Sequence, residues 1–577
     1  MPRPRSALAL LSTITLAALA ACPAPPAAPA PAAVAPPLDA CLSIVGWNDV
    51  HGQIAPESPL ISTGKVPAGG VVAMADVLDE IRHEGEPVVV LDAGDEFTGP
   101  LESSLAEGAP ITIAFNLMGV DAATIGNHEF DFGPAGYAKI RAADGVGDEA
   151  GKDGPRGALL ARLTEATFPY VSANLRRVGG AEPGWKDLWS STIVQRGGWS
   201  VGVVGYTTKD TPTTTLKPSV VGLDFATDAA KNVAAEIKKL RAAGAAPIVL
   251  LAHVSLDGDL PQKLDDPKDP HGDARKGELN DLIAALGSDV PDLIIGGHRH
   301  AWMLGRVHGV PTVTSDQHGV GMSRTRFCRT ASAPTPHLEG IERIVPLAND
   351  PPRTGLGRTV QAAMRPWLDA VKSQAEAIVT ELPKACAHQS LDGTAMMEQL
   401  ARAIFEHVGD AQLAPPGVPI IAFNNAGGLR VPFAQGPLHF ADLYEAFPFE
   451  NSVAVCGTTR KGLLHAIENA LKKPSVRERM PFGVAGATVH VKRRADGGLD
   501  FVSIAFAKGK ADHDDDPVWL AIPDFLLWGG DGFLDGVTCA PGVGSQTRMR
   551  DAWRGVLERE KKCDGPSTSI VVDHSEK

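Results

Sequence analysis

The stretch Thr124–Asp131 places polar side chains that are suited to metal binding and proton transfer directly after an apolar segment. Asn127, His128 and Asp131 follow Gly126, and a glycine permits a tight turn at the end of a strand. An amide oxygen and an imidazole nitrogen are both competent metal ligands, and a histidine oriented by an aspartate can manage charge or protons. Alone, this stretch is equally compatible with a simple polar turn, so its meaning depends on partners elsewhere in the chain.

Four further segments have the same form, a short apolar run followed by metal-type ligands, and they supply Asp49 and His51, Asp95, His253, and His298 and His300. We interpret both D-x-H and H-x-H as alternation along an extended segment, which places the two side chains on one side. Oxygen and nitrogen ligands without cysteine favour Zn, Mn, Fe or Co over calcium. So many ligands exceed the need of one ion, which predicts two divalent ions that share a carboxylate and clamp a phosphoryl group.

On sequence grounds alone, Asp92 and Asp95 are rival candidates for the shared carboxylate.

The apolar runs in front of these ligands predict the strands that must position them. We predict strands over 42–47, 87–91, 122–125, 199–206, 247–252, 292–295, 310–314 and 323–328, and helices over 71–83, 111–118 and 229–242. Strands that alternate with helices indicate a layered α/β domain. Asn349–Thr354 is interpreted as a hinge, and residues 355–382 as a helix that leads to a second α/β region. The polar tail after Gly565 is expected to fray.

The first 22 residues have the form of an export signal, with Arg3 and Arg5 before an apolar run that is too short to span a bilayer. The sequence Leu-Ala-Ala-Cys ending at Cys22 resembles a bacterial lipobox, in which the cysteine is lipidated; ordinary cleavage beside an incidental cysteine is the alternative. Pro23–Pro37 contains only proline, alanine and one valine, which predicts an extended tether. We therefore expect a lipoprotein on the periplasmic or outer face of a bacterial membrane.

Charge and cysteine content limit the partners and the compartment. The formal charge is −14, and removal of Arg3 and Arg5 makes it −16, so the chain has no general attraction for nucleic acid polymers. Six cysteines remain after Cys22, an even number that export allows to pair fully. The sequence does not select one of their 15 connectivities.

The segments NDVHG, DAGDEFTG, GNHEFD, LLAHVS and GGHRH resemble those of metallophosphoesterases of the calcineurin-like fold. FNNAGGLR, FPFENS and DFLLWGGDGF, further along, resemble the C-terminal domain of secreted 5'-nucleotidases and UDP-sugar hydrolases. The resemblance covers residues 42–545. It implies an α/β protein with a four-layered α/β/β/α metallophosphoesterase domain, a linker helix and a C-terminal α/β substrate-binding domain. The expected divisions are a signal peptide (1–22), a tether (23–40), the metallophosphoesterase domain (41–345), the linker (346–382), the C-terminal domain (383–565) and a polar tail (566–577).

The resemblance also implies roles for the candidate ligands. One ion would take Asp49, His51, the bridging Asp95 and His300, and the other would take Asp95, Asn127, His253 and His298. His128 would stabilise the phosphoryl group or the leaving oxygen, and Asp131 would orient His128. A hydroxide between the ions would attack phosphorus in line, which agrees with the need of phosphoryl transfer for positioning and charge neutralisation.

In the C-terminal domain the resemblance implies a nucleotide site. Asn425 and Arg430 match polar substrate contacts, Phe449 and Phe525 match the pair that stacks a nucleobase, and Asp531 matches a ribose contact. One departure concerns residues 388–394, where the family often has an arginine that reaches the substrate phosphate and this chain has none.

Three functions are weighed from the sequence. The first is a lipid-anchored two-metal hydrolase of nucleotides. The second is a thiosulfohydrolase of the sulfur-oxidation type, in which the two phenylalanines would have no role. The third is a non-catalytic surface binding protein, which the full set of ligands disfavours. The sequence does not choose the nucleotide, the native metals or the oligomeric state.

Overall fold

The computed structural model of the 577-residue chain describes residues 40–56, 67–132, 156–254, 264, 276–477, 479–542 and 547–574. The export signal, Cys22 and all of the tether except Ala40 lie outside the described residues. Within the described part of the chain, no helix has the length and apolar character that a membrane crossing requires.

Two β-sheets form the centre of the N-terminal domain. Its strands are β1 Ala40–Trp47, β2 Val88–Asp92, β3 Ala122–Thr124, β4 Tyr170–Val171, β5 Arg176–Arg177, β6 Leu188–Trp189, β7 Ser191–Arg196, β8 Trp199–Thr207, β9 Leu223–Asp224, β10 Ile248–His253, β11 Leu293–Gly296, β12 Met303–Val307, β13 Val310–Thr314, β14 Met322–Arg329 and β15 His337–Ile344. One sheet has the order β15-β14-β1-β2-β3-β4-β6 and the other β12-β13-β11-β10-β8-β7. The eight predicted strands are confirmed, with ends that differ by no more than two residues.

Helices cover the outer face of each sheet. The helices of this domain are α1 Gly70–Arg82, α2 Leu101–Ser104, α3 Ala109–Met118, α4 Gly157–Glu165, α5 Thr211–Thr214, α6 Lys217–Val220, α7 Ala229–Ala242 and α8 Glu278–Leu286. Along β1, Leu42 and Ile44 point into the core between the sheets, whereas Val45 and Trp47 pack with the helix layer of α1 and α3. On the second sheet, Ile248 and Leu250 pack against the layer of α7 and α8. The result is the expected four-layered α/β/β/α arrangement.

The linker is a helix followed by a strand. Helix α9, Gly355–Ala375, starts at Thr354, whose hydroxyl accepts from the Gly357 amide at 3.0 Å. Val360 is buried in the core of the N-terminal domain, and Val371 packs against the core of the C-terminal domain. The helix expected up to Leu382 ends early, because the β-branched run after it forms strand β16, Ile378–Leu382.

The C-terminal domain is also α/β. Its remaining strands are β17 Ile420–Asn425, β18 Gly436–His439, β19 Val453–Thr459, β20 Phe482–Ala485, β21 Ala487–Arg493, β22 Leu499–Phe506, β23 Pro517–Pro523, β24 Ala540–Pro541 and β25 Ile570–His574. Its helices are α10 Ala395–Asp410, α11 Phe440–Ala446, α12 Arg460–Leu471, α13 Asp524–Leu527 and α14 Met549–Glu560. The main sheet has the order β20-β17-β23-β19-β24, and β22-β21-β25 form a second sheet.

The expected frayed tail is wrong over residues 570–574. Strand β25 pairs in parallel with β21, with Ile570 opposite Val489 and Val572 opposite Val491. The short run Ile-Val-Val carries the strand preference that the polar flanks conceal.

Three disulfides join the six cysteines after Cys22, as Cys41–Cys328, Cys386–Cys563 and Cys456–Cys539. Cys41 and Cys328 are directly opposite one another on the paired strands β1 and β14.

Candidate metal centre and substrate cleft

The strand ends bring the predicted ligands together in two groups. Asp49, His51, Asp95 and His300 form the first, and Asp95, His253 and His298 form the second, with the ligand atoms of each group within 4.8 Å of one another. Asp95 belongs to both groups and Asp92 to neither. The geometry therefore agrees with Asp95, rather than Asp92, as the shared carboxylate.

The backbone at these ligands is left-handed, not extended. The φ angles are 52° at Asp49, 47° at His51, 59° at Asp95, 75° at His298 and 59° at His300. Alternation along an extended segment is therefore the wrong explanation for D-x-H and H-x-H. Left-handed backbone is costly for residues other than glycine and collects at functional sites where surrounding contacts impose it.

Backbone hydrogen bonds between neighbouring loops hold this conformation. The Asp49 amide donates to Gly94 O and the His51 amide to Asp95 O, both at 2.9 Å. The buried Glu129 carboxylate accepts from the amides of Asp95 at 3.0 Å and Gly126 at 2.6 Å. Glu129 is thus a positioning group that sequence reasoning did not assign, although it lies within the GNHE segment.

The donor atoms have the character that a cation site needs. Nδ1 of His51 contacts the carbonyl oxygens of Phe97 and Thr98, each at 3.1 Å, and Nδ1 of His253 contacts Ala93 O at 2.8 Å. Because a carbonyl only accepts, Nδ1 carries a proton in each ring, which leaves Nε2 as the atom that could bind a metal ion.

The Nε2 atoms of His51 and His253 face other electron-rich atoms. Nε2 of His51 lies 2.9 Å from Nε2 of His300, and Nε2 of His253 lies 3.2 Å from Oδ1 of Asn127. Oδ2 of Asp95 lies 3.0 Å from Nε2 of His253, yet it has no properly oriented hydrogen-bond donor among the described residues. Acceptors that converge in this way are stabilised by a positive ion, so the residues fit divalent metals.

The pKa shifts follow from the same crowding. Burial, reinforced by the charge of His253, lowers the pKa of His298 to about 3, which leaves its imidazole neutral. Burial also lowers the pKa of His253, but the Asp95 carboxylate outweighs it and raises that pKa to about 10. The pocket therefore holds a positive charge at His253 when no ion is bound, and a metal ion would take the place of that proton.

His128 lies beside the metal ligands without joining either group. Its Nδ1 is 2.6 Å from Oδ2 of Asp131, and the same oxygen accepts from the Thr98 hydroxyl at 2.9 Å. Oδ1 of Asp131 accepts from the Thr215 hydroxyl at 2.8 Å. Burial lowers the pKa of His128, but Asp131 and Asp95 outweigh it and raise the pKa overall. Sequence reasoning missed both threonines, because nothing in their local pattern signals a hydroxyl aimed at Asp131.

A cleft of about 1200 Å³ separates the two domains and contains the predicted substrate residues. It is lined by Asn127, His128, Asp131, His298 and His300 from one domain and by Asn425, Arg430, Phe449, Phe525 and Asp531 from the other. The buried Arg430 guanidinium lies 3.3 Å from Nε2 of His300 and 3.4 Å from Nε2 of His51. The Phe449 ring centroid is 5.8 Å from that of His128. The C-terminal domain thus reaches directly to the metal ligands.

Asp531 is held at the other side of the cleft by two partners. Its Oδ2 accepts from Asn425 Nδ2 at 2.8 Å, and its Oδ1 pairs with Lys473 Nζ at 2.9 Å. Lys473 was not predicted, since the pair joins positions that are far apart in sequence. The Phe525 ring packs directly on Gly530, and a side chain at position 530 would collide with it.

This combination of a layered α/β/β/α domain, two ligand groups that share an aspartate and a second α/β domain across a cleft defines a metal-binding phosphoesterase fold of the 5'-nucleotidase type. Residues 356–536 match the family model of the 5'-nucleotidase C-terminal domain. The chain is also similar to proteins named 5'-nucleotidase and apyrase over much of its length.

Relatives of known name cover different shares of the chain. The rat 5'-nucleotidase is 28% identical over 45% of this chain and 38% of its own length, so the match spans about two fifths of that protein. An apyrase from Tabanus yao is 24% identical over 75% of this chain and 74% of its own length.

Solved structures share the fold at low identity. The 5'-nucleotidase precursor of Thermus thermophilus has a TM-score of 0.71 at 20% identity and covers 93% of this chain and 100% of its own. A sulfate thiohydrolase from the same organism has a TM-score of 0.62 at 16% identity, with 92% and 96% covered.

Proposed function

We propose that the protein is an exported, lipid-anchored phosphoester hydrolase that uses two divalent metal ions and acts on nucleotides. The observation that carries the proposal is Asp95, which belongs to both ligand groups, and these groups adjoin the cleft through His298 and His300. Two ions around a shared carboxylate are suited to phosphoryl transfer, which depends on positioning and charge neutralisation.

The two ions would be held by the predicted sets. Asp49, His51, Asp95 and His300 would hold one, and Asp95, Asn127, His253 and His298 would hold the other. Asn127 is turned for this role, because its Nδ2 donates to Thr214 O at 3.3 Å and leaves Oδ1 directed at His253. When bound, such ions neutralise phosphoryl charge and activate water. Zn, Mn, Co and Fe all suit this set of ligands.

His128 is proposed to act on the phosphoryl group or the leaving oxygen. Its Nδ1 is occupied by Asp131, so Nε2 is the atom available to substrate. The raised pKa favours the imidazolium, which stabilises developing negative charge. Asp131 fixes the ring and is itself fixed by Thr98 and Thr215. Arg430 would add a permanent positive charge on the same side of the cleft.

The base and ribose would bind to the C-terminal domain. Phe449 and Phe525 offer aromatic faces, and stacking on them would accept any nucleobase. Asp531, oriented by Asn425 and Lys473, would accept hydrogen bonds from ribose hydroxyls. We therefore expect broad base tolerance.

Export and anchoring are proposed from the first 22 residues and the tether. Three disulfides support an oxidising compartment, since such bonds are rare in reducing cytosol.

Two other functions remain candidates. A thiosulfohydrolase would use the same fold, but it would leave Phe449 and Phe525 without a base to bind. A non-catalytic binding lipoprotein would not need both ligand groups together with the Asp131–His128 pair.

Metal analysis combined with phosphate release from a panel of nucleoside mono-, di- and triphosphates, UDP-sugars and cyclic nucleotides separates the three. We expect two ions per chain and phosphate release from at least one nucleotide. Two ions without release from any nucleotide would favour the thiosulfohydrolase, and absence of both would favour the binding protein.

A further inference from the structure

The loop 388–394, which lacks an arginine, lies against a segment that has one. The Met480 amide donates to Ser390 O at 2.8 Å, so the residue before Met480, Arg479, is fixed beside this loop. The Arg479 amide in turn donates to Ser475 O at 2.9 Å. Gln389 from the loop and Arg479 from the neighbouring segment both line the cleft.

Arg479 is also within electrostatic reach of the metal side of the cleft. The positive charges of Arg479 and Arg430, which line the same cleft, repel one another. Burial, Arg479 and Arg430 together lower the pKa of His388 to about 4. Two guanidinium groups thus act on each other and on the same histidine, in a chain whose formal charge is −14. Like charges that are held near one another are stabilised when an anion binds between or beside them.

We propose that Arg479 is a substrate-binding residue that, with Arg430, binds the dianionic phosphoryl group of a phosphate monoester. This inference rests on the proposed function and adds the charge state of the phosphate ester that the site would select. Arg430 already lies within 3.4 Å of two metal-ligand nitrogens, so a phosphoryl group at the metal centre must lie beside it. A guanidinium suits this ligand because its planar donors match phosphate oxygens.

The chain offers a matched control for the test. Arg477 is two residues away, lines the same cleft and is exposed. Arg479→Gln and Arg477→Gln therefore remove the same charge from the same segment. Gln389→Arg restores a positive charge from the neighbouring loop, residues 388–394.

The experiment measures hydrolysis of p-nitrophenyl phosphate, a dianion, and of bis(p-nitrophenyl) phosphate, a monoanion, together with calorimetric binding of inorganic phosphate to the metal-loaded protein. Arg479→Gln should raise KM for the dianion and weaken phosphate binding by about ten- to a hundredfold, the range of a charge-assisted hydrogen bond. The same substitution should affect KM for the monoanion less. Arg477→Gln should change each KM and the phosphate affinity less than threefold. Arg479→Lys should retain part of the affinity, and Gln389→Arg combined with Arg479→Gln should recover it.

The outcomes separate this inference from the proposed function. If the wild-type protein hydrolyses nucleotides and Arg479→Gln behaves like Arg477→Gln, the inference is wrong and the function stands. Equal losses for both esters, with no recovery by Arg479→Lys or Gln389→Arg, would indicate a packing role and also overturn it. If the wild-type protein hydrolyses no ester but binds phosphate through Arg479, the proposed function fails and the anion site stands. If the wild-type protein neither binds phosphate nor hydrolyses any ester, both the inference and the proposed function are overturned.

Discussion

Asp95 presents its two carboxylate oxygens to different neighbours. Oδ1 accepts from the His128 amide at 2.8 Å, and Oδ2 faces the imidazoles of His253 and His51 at 3.0 and 3.9 Å. This oxygen therefore faces one imidazole from each of the two ligand groups.

Asp95→Asn should lower metal occupancy at both sites and remove phosphate release, since an amide lacks the negative charge that both ions share. Metal content per chain and turnover are the measurements. Asp92→Asn is the matched control, because burial, with repulsion from Glu96, raises the pKa of Asp92 well above its usual range and favours a neutral side chain. Full metal content and near-normal turnover in Asp95→Asn would contradict the shared-ligand role.

His128 is predicted to act on substrate without holding metal. His128→Ala should keep both ions and lose about 10²–10⁴ in rate, as for a positioned acid or base. Asp131→Asn should have a smaller effect, because it removes only the group that orients the ring. Metal analysis and kinetics on the same preparations decide the matter, and loss of metal from His128→Ala would refute the assignment.

At the scale of the elements, the loops after β2 and β3 approach one another too closely for a side chain at position 126. A Cβ there would lie 2.6 Å from the Asp95 amide nitrogen and closer still to the Asp95 carboxylate.

Gly126→Ala should therefore displace Asp95 and reduce metal content, even though alanine itself binds nothing. Gly409→Ala is the control, since position 409 is helical and has no described atom within 4 Å of the added Cβ. Elemental analysis and thermal melting of both variants measure the effect. Unchanged metal content in Gly126→Ala would show that the loop changes conformation to accommodate the methyl group without displacing Asp95.

The strands, and the polar side chains that lie together at their ends, are predictable from sequence, because each apolar run ends at a polar group and buried parallel strands carry that signal clearly. The local backbone conformation is not predictable from sequence. Hydrogen bonds to the neighbouring loop impose the left-handed conformations at Asp49 and His51. Lys473 and Thr215 were missed for a related reason. Their partners, Asp531 and Asp131, lie 58 and 84 positions away, and only the folded chain brings them together.

On the scale of the whole molecule, the candidate metal ligands and the candidate base-binding phenylalanines belong to different domains. Phe449→Ala and Phe525→Ala should weaken nucleotide hydrolysis by about ten- to a hundredfold in kcat/KM, given roughly 1–3 kcal/mol for each base–aromatic stack. p-Nitrophenyl phosphate should be spared, because the metal ligands do not need a base. Kinetics for both substrates test this, and equal losses would identify the phenylalanines as core residues.

The proposed anchoring involves the segment that precedes β1. Cys22→Ser should move the protein from the membrane fraction to the soluble exported fraction, with catalysis unchanged, because the proline- and alanine-rich tether separates Cys22 from β1. Fractionation followed by phosphate-release assays provides the measurement. Membrane association that persists in Cys22→Ser would argue against lipidation.

The disulfides have a consequence for how the cleft can open. Cys41–Cys328 closes a loop within the N-terminal domain, and Cys386–Cys563 and Cys456–Cys539 close loops within the C-terminal domain. All six cysteines after Cys22 are used in this way, so the main chain that runs through helix α9 is the sole covalent tie between the halves. Each half is cross-linked against unfolding on its own, while the angle between them is set by the linker through α9 and by non-covalent contacts. A change of that angle would therefore break no disulfide.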